Sequence, residues 1–189
     1  MRTRLTLIQR IKNKSDEQSW QEFVDIYRPY IAAVVRNMNI NEAEIDDHVQ
    51  TVLVICWNKL PEFDYNPGKG KFRFWLSRIV NYTVVNHIRK TGRRMELQEN
   101  IEIPLSVSPD VEQMAEHEWK IFISKLAWEN IKQNLSENVI YSFEQLMKGR
   151  KPAEIAAEIG VEENTVHVQK NRIEKKLFLE IQHLKEELG

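Results

Sequence analysis

A single cysteine, Cys56, is all that 189 residues contain, so the chain has no internal disulfide framework and no multi-cysteine zinc module. Six glycines and six prolines are about half the usual share of turn formers, which predicts long, unbroken helices. The longest apolar run, Val52 to Trp57, is six residues, whereas a membrane helix needs about 20. Leu5, Thr6, Leu7 and Ile8 lead directly into Gln9 and Arg10, so no secretory signal is read and the chain is taken as cytoplasmic. Five histidines (His48, His87, His117, His167 and His183) form neither HExxH nor any other paired metal spacing, and no Gly-rich phosphate loop is present. No metal or cofactor is expected, and an enzyme is disfavoured.

The charge is present but segregated. The net value of −1 conceals five basic residues and no acid from Met1 to Ser15. Eight more basic residues, again without an acid, lie from Lys69 to Arg94: Lys69, Lys71, Arg73, Arg78, Arg89, Lys90, Arg93 and Arg94. Met95 to Trp119 then holds seven acids and no Lys or Arg. Phe72, Phe74, Trp75 and Tyr82 interleave with the basic block, a combination suited to nucleic acid because aromatics stack on unpaired bases while cations hold phosphates. The acidic block either shields that surface in the free protein or is a solvated linker.

Apolar residues recur at helical spacing nearly throughout, and no strand-like alternation stands out. Trp20, Phe23, Val24, Tyr27, Ile31, Val34 and Val35 form one stripe, with Pro29 predicting a kink or break near Arg28. Asn41 and Glu44 have capping spacing before a helix that runs to about Leu60, where Pro61 stops it. Asp64 to Gly70 reads as a loop, Phe72 to Lys90 as a helix, and Ile101 to Asp110 as a linker. Helical patterning resumes from about Val111 to Gln133 and from Glu137 to Lys148.

Three segments carry information about function. Pro152 to Val166 has the pattern of a helix-turn-helix: small Ala156 permits a close crossing, Gly160 suits a left-handed turn, and Ile155, Ile159, Val161 and Val166 supply an apolar core. The second helix then offers Asn164, Thr165, His167, Lys170, Asn171 and Arg172 outward, types that contact base edges and phosphates in a major groove. Gln169 stands where an apolar residue is often found, and a plain helical hairpin is the simpler alternative. The helix Asp46–Leu60 is apolar all round from Val52 to Trp57, so it is either wholly buried or shows a second apolar face to a partner. In the basic-aromatic helix, Trp75, Leu76, Ile79 and Val80 read as core, with Arg78, Asn81, Tyr82, Asn86 and Arg89 exposed.

Together these motifs resemble the extracytoplasmic-function type of RNA polymerase sigma factor, in the sigma-70 family. Asp47-His48-Val49-Gln50 with Trp57 and Leu60 is similar to the family's helix for the polymerase β′ clamp. Phe63-Asp64-Tyr65, Gly70, Phe72-Arg73, Trp75-Leu76, Ile79 and Arg89 resemble its −10 segment, and Val166 to Arg172 its −35 recognition helix. Tyr82 departs from the pattern, since members often carry Asn there.

The resemblance implies an all-α fold of two helical domains, a region 2 bundle at 1–94 and a region 4 helix-turn-helix at 118–189, joined by a flexible acidic linker at 95–117. It implies polymerase contacts from Asp46, Asp47, Gln50, Leu53 and Trp57. Promoter −10 contacts fall to Lys71, Arg73, Phe74, Arg78, Asn81, Tyr82, Asn86, Arg89 and Lys90. The −35 contacts are the six outward residues named above. The implied partners are bacterial core polymerase (β′ clamp helices and β flap) and promoter DNA, with no membrane and no cofactor; the resemblance leaves open whether an anti-sigma factor joins them. A stand-alone dimeric helix-turn-helix regulator is the rival reading, and it requires a two-fold symmetric operator.

Overall fold

The computed structural model describes residues 6–63, 72–89 and 108–188, with Arg89 as backbone alone. The fold is all-α, and the chain divides into two compact units, Met1–Phe122 with Glu186–Gly189, and Ile123–Lys185.

In the first unit a short helix, α1 (Leu7–Arg10), begins at a reciprocal cap. The Gln9 amide donates to Thr6 Oγ1, and the Thr6 amide donates to Gln9 Oε1 at 3.0 Å. The long helix α2 (Glu17–Asn37) starts at Asp16, whose carboxylate accepts from the Ser19 amide at 2.9 Å and the Ser19 hydroxyl at 2.7 Å. Those two bonds hold the Asp16 pKa below the ordinary carboxylate value.

Pro29 lies inside α2 without ending it, so of the kink or break expected near Arg28 the break is excluded. Its ring removes the bond to the Asp25 carbonyl, a cost of about 3 kcal/mol in a helix interior. Buried Tyr27, Tyr30 and Ile31 flank it, and each buried side chain of this size returns about 1.5–3 kcal/mol. Tertiary packing therefore decides in favour of one helix.

Asn41 caps a single 3₁₀ turn, Glu42–Glu44, which feeds α3 (Ile45–Lys59). Pro61 sits in a second such turn, Leu60–Glu62. Next comes α4 (Phe72–Arg89), then α5 (Pro109–Lys132), whose residues up to Phe122 belong to this unit. Phe72 is fully buried at the centre of the core, with ring centroids 5.4 Å from Tyr27, 6.0 Å from Phe23 and 5.8 Å from Phe63. Trp119 of α5 closes the far side, 5.3 Å edge-on to Tyr30 and 6.2 Å from Tyr27, while the Tyr30 hydroxyl donates to the Ala115 carbonyl. Residues 109–117 of the stretch read as linker are thus helical, and 95–107 lie outside the described residues.

The second unit holds the rest of α5, α6 (Glu137–Met147), α7 (Pro152–Ile159) and most of α8 (Glu163–Leu188). Ile155, Ala156 and Val166 form its innermost cluster, with Leu146, Ile159 and Val161 packed against them. The Trp128 and Phe143 rings lie 5.0 Å apart, tilted by 34°.

Candidate binding faces

The apolar run in α3 resolves into two faces. Val52, Leu53, Ile55 and Cys56 are core, which leaves the Cys56 thiol inert because burial raises its pKa far above the ordinary value. Asp47, Gln50, Val54 and Asn58 are exposed and Trp57 half-buried, so residues 47, 50, 54, 57 and 58 share one outward stripe at helical spacing. Val54 is 42% exposed, an uncovered apolar residue between Gln50 and Trp57 that the sequence reading did not single out. The Trp57 ring is braced edge-on by Trp20 at 4.8 Å, with the Lys14 ammonium 5.9 Å from its centroid. Asp46 is exposed and pairs with Arg28 at 2.9 Å, while Leu53 points into the core. Of the five residues expected to touch polymerase, four therefore reach the surface.

On α4, Leu76, Ile79, Val80, Thr83 and Val84 are buried. The opposite side carries Phe74, Trp75, Arg78, Asn81, Tyr82 and Asn86, all half-buried, with Ile88 exposed beyond them. Trp75, expected in the core, is only half covered, and its ring lies 4.6 Å from Phe63. Asn81 and Tyr82 both reach the outward arc, about 100° apart on the helix. Arg78 Nε is buried without a hydrogen-bond acceptor among the described residues, a donor in want of a partner.

Arg73 is different: only 5% of it is exposed. Its Nε and Nη2 both donate to Glu116 Oε2 of α5, at 2.6 and 2.5 Å, and its guanidinium lies 5.0 Å from the Phe74 ring and 5.8 Å from that of Trp119. Lys71 and Lys90 lie outside the described residues, as does the Arg89 side chain.

In the second unit, Gly160 ends α7 in the left-handed conformation, φ 72° and ψ 38°, and the Val161 amide donates back to the Ala156 carbonyl at 3.0 Å. That turn aims the start of α8 outward. Asn164, His167, Lys170, Asn171 and Arg172 are exposed and Thr165 half-buried, so all six expected groups lie at the surface. Val166 and Ile173 face inward. Gln169, also turned inward, has a buried Oε1 with no donor among the described residues.

A polar bracket holds α6, α7 and the connection between them. The Tyr141 hydroxyl donates to Glu158 at 2.5 Å, and Arg150 reaches Glu158 at 2.8 Å and the Tyr141 oxygen at 3.1 Å. The Glu158 pKa is lowered by the Tyr141 hydroxyl first and by Arg150 second, so its carboxylate stays charged. Among the described residues no group of three or more His, Cys, Asp and Glu could hold a metal ion. No helix there is long and apolar enough to cross a membrane.

Residues 23–94 match the family model for sigma-70 region 2. The ECF RNA polymerase sigma factor SigW of Bacillus subtilis (strain 168) is 31% identical over 77 residues, which are 41% of this chain and 40% of that protein. The alignment thus spans about two fifths of its curated relative. A solved structure, CnrH in complex with the cytosolic domain of CnrY, aligns with 94% of this chain and 96% of its own at 19% identity, with a TM-score of 0.38. The matched segment takes in both α3 and α4, so it contains the two faces of the first unit. Residues 23–94, which carry both faces, are therefore similar to sigma-70 region 2, and 77 residues of the chain are similar to an extracytoplasmic-function RNA polymerase sigma factor.

Proposed function

We propose that this chain is a promoter-specificity subunit that binds bacterial core RNA polymerase and directs it to promoters, and that it is not itself an enzyme. The observation that carries the reading is the pair of outward faces inside the matched segment. The α3 stripe of Asp47, Gln50, Val54 and Trp57 mixes apolar and polar groups as a protein-docking surface does. The α4 arc sets Phe74, Trp75 and Tyr82 beside Arg78 and Asn81, which suits unpaired bases on a phosphate backbone. Arg78 Nε has no acceptor among the described residues, and a phosphate that reached it would supply one. The outward residues of α8, from Asn164 to Arg172, take the −35 duplex, and the β flap and an anti-sigma factor complete the partners. The site of action is the cytoplasm.

The test is gel filtration of the chain with sigma-free Bacillus subtilis core polymerase. A stoichiometric complex is expected, weakened by Asp47→Ala with Gln50→Ala while circular dichroism stays unchanged. Arg172→Ala should weaken −35 duplex binding and leave the polymerase complex intact. Each duplex phosphate neutralised should contribute about −0.9 to the slope of log affinity against log salt. A folded chain that forms no complex but binds a two-fold symmetric operator would overturn the proposal in favour of a dimeric regulator.

A further inference from the structure

Arg73 belongs to a block of eight cations that contains no acid, and the next acids along the chain are the seven from Glu96 to Glu118. One of these, Glu116, meets Arg73 across 43 residues of sequence. The pair is asymmetric: the Arg73 side chain is 6% exposed, whereas that of Glu116 is 30% exposed and stands at the rim. Both guanidinium donors converge on one carboxylate oxygen, the arrangement a single phosphate oxygen accepts equally well. The guanidinium also lies over Phe74, the first residue of the outward α4 arc, so a rotation of the long arginine side chain would carry it from Glu116 to that arc.

From this geometry we infer that Glu116 is an internal stand-in for a DNA phosphate: it holds Arg73 in the free chain, and single-stranded promoter DNA takes Arg73 over by displacing it. The start of α5 is then a competitor built into the fold. Trp119 and the Tyr30–Ala115 bond keep that competitor docked when DNA is absent. The inference rests on the proposed nucleic-acid role of α4 and adds to it a cost that DNA must meet before Arg73 can contribute.

The experiment measures binding of the full-length free chain to a fluorescent single-stranded oligonucleotide across a salt series. Glu116→Gln keeps an oxygen acceptor for Arg73 but removes the charge. It should steepen the salt slope by about 0.7, one single-strand phosphate, which is about a five-fold gain in affinity at 0.1 M salt. Glu112→Gln, the same charge change one helical turn away, should gain clearly less; an equal gain would reduce the effect to net charge and overturn the inference. Arg73→Gln combined with Glu116→Gln leaves no buried cation unpaired and should return the slope to that of the unmodified chain.

Hydrogen exchange of the unmodified chain gives a reading that needs no variant. Amides of residues 112–119 should exchange faster when DNA saturates the protein, and unchanged protection would overturn the inference. The wider reading fails separately: if the polymerase complex selects a promoter while Glu116→Gln alters nothing, only the stand-in role is lost. If neither the free chain nor its polymerase complex binds DNA, the role of α4 itself falls.

Discussion

Replacing Gly160 separates backbone strain from steric crowding at the turn of the helix-turn-helix. The residue has φ 72° and ψ 38°, and a Cβ built there meets no atom within 4 Å. An L-alanine side chain therefore fits, and its cost is torsional: about 1–2 kcal/mol for the left-handed region. Restricting the unfolded chain returns about 0.4–1 kcal/mol, so Gly160→Ala should cost about 1 kcal/mol net. A D-alanine introduced by chemical ligation prefers this same region and should keep only the gain. The Val161 amide, bonded to the Ala156 carbonyl, is the local reporter for native-state hydrogen exchange. L-Alanine should speed its exchange about five-fold, while D-alanine should slow it about two- to five-fold. A loss above about 3 kcal/mol for L-alanine, or equal behaviour of the two enantiomers, would show that something other than backbone handedness holds the turn.

Two further substitutions follow from groups buried without partners among the described residues. Gln169→Leu removes an orphaned acceptor from the inner side of α8, and urea denaturation should show a gain of about 1 kcal/mol; a loss would mean that water already satisfies Oε1. His48 is buried, its Nε2 without a hydrogen-bond partner among the described residues, 4.6 Å from the His87 ring, while His87 itself meets Glu44 at 3.4 Å. Burial first and His87 second hold the His48 pKa below 6.5, against the opposing pull of Glu44 and Asp47. The unfolded chain therefore binds this proton more readily, so stability is complete above about pH 6.5 and declines as pH falls below it. Thermal melts between pH 5 and 7.5 should show that decline, and His48→Gln should flatten it.

Most of the helical content was legible because helical spacing and scarce turn formers point the same way. The turn at Gly160 was legible for a sharper reason: glycine between two apolar stripes is the residue a left-handed cap requires. At Pro29 the sequence left a kink and a break both open, because a local rule about a missing amide cannot register that Tyr27 and Tyr30 are both buried. Sequence spacing also could not tell which of six consecutive apolar residues in α3 would turn outward. That depended on where α2 and α4 pack, and Val54 was the residue left uncovered. Arg73 shows the same limit in charge. Its block identified it as a cation for nucleic acid, but the acid that holds it lies in a helix whose docking no local pattern records. For the site as a whole, residue types were readable from the sequence, whereas exposure was decided by packing across dozens of residues.

That long-range docking also has a consequence for the chain as it is made. Trp119, which covers the side of Tyr30, is some thirty residues downstream of Arg89. At about 5–20 residues per second, the ribosome needs about 2–6 s to bring it out after α4 is complete. Throughout that interval the nascent bundle shows an uncovered aromatic wall and an arginine whose carboxylate has not yet been synthesised. The first unit thus draws on two segments from beyond the family-matched residues, the start of α5 and Glu186–Gly189. A chain cut between residues 94 and 109 carries the whole matched segment and still lacks part of its own core.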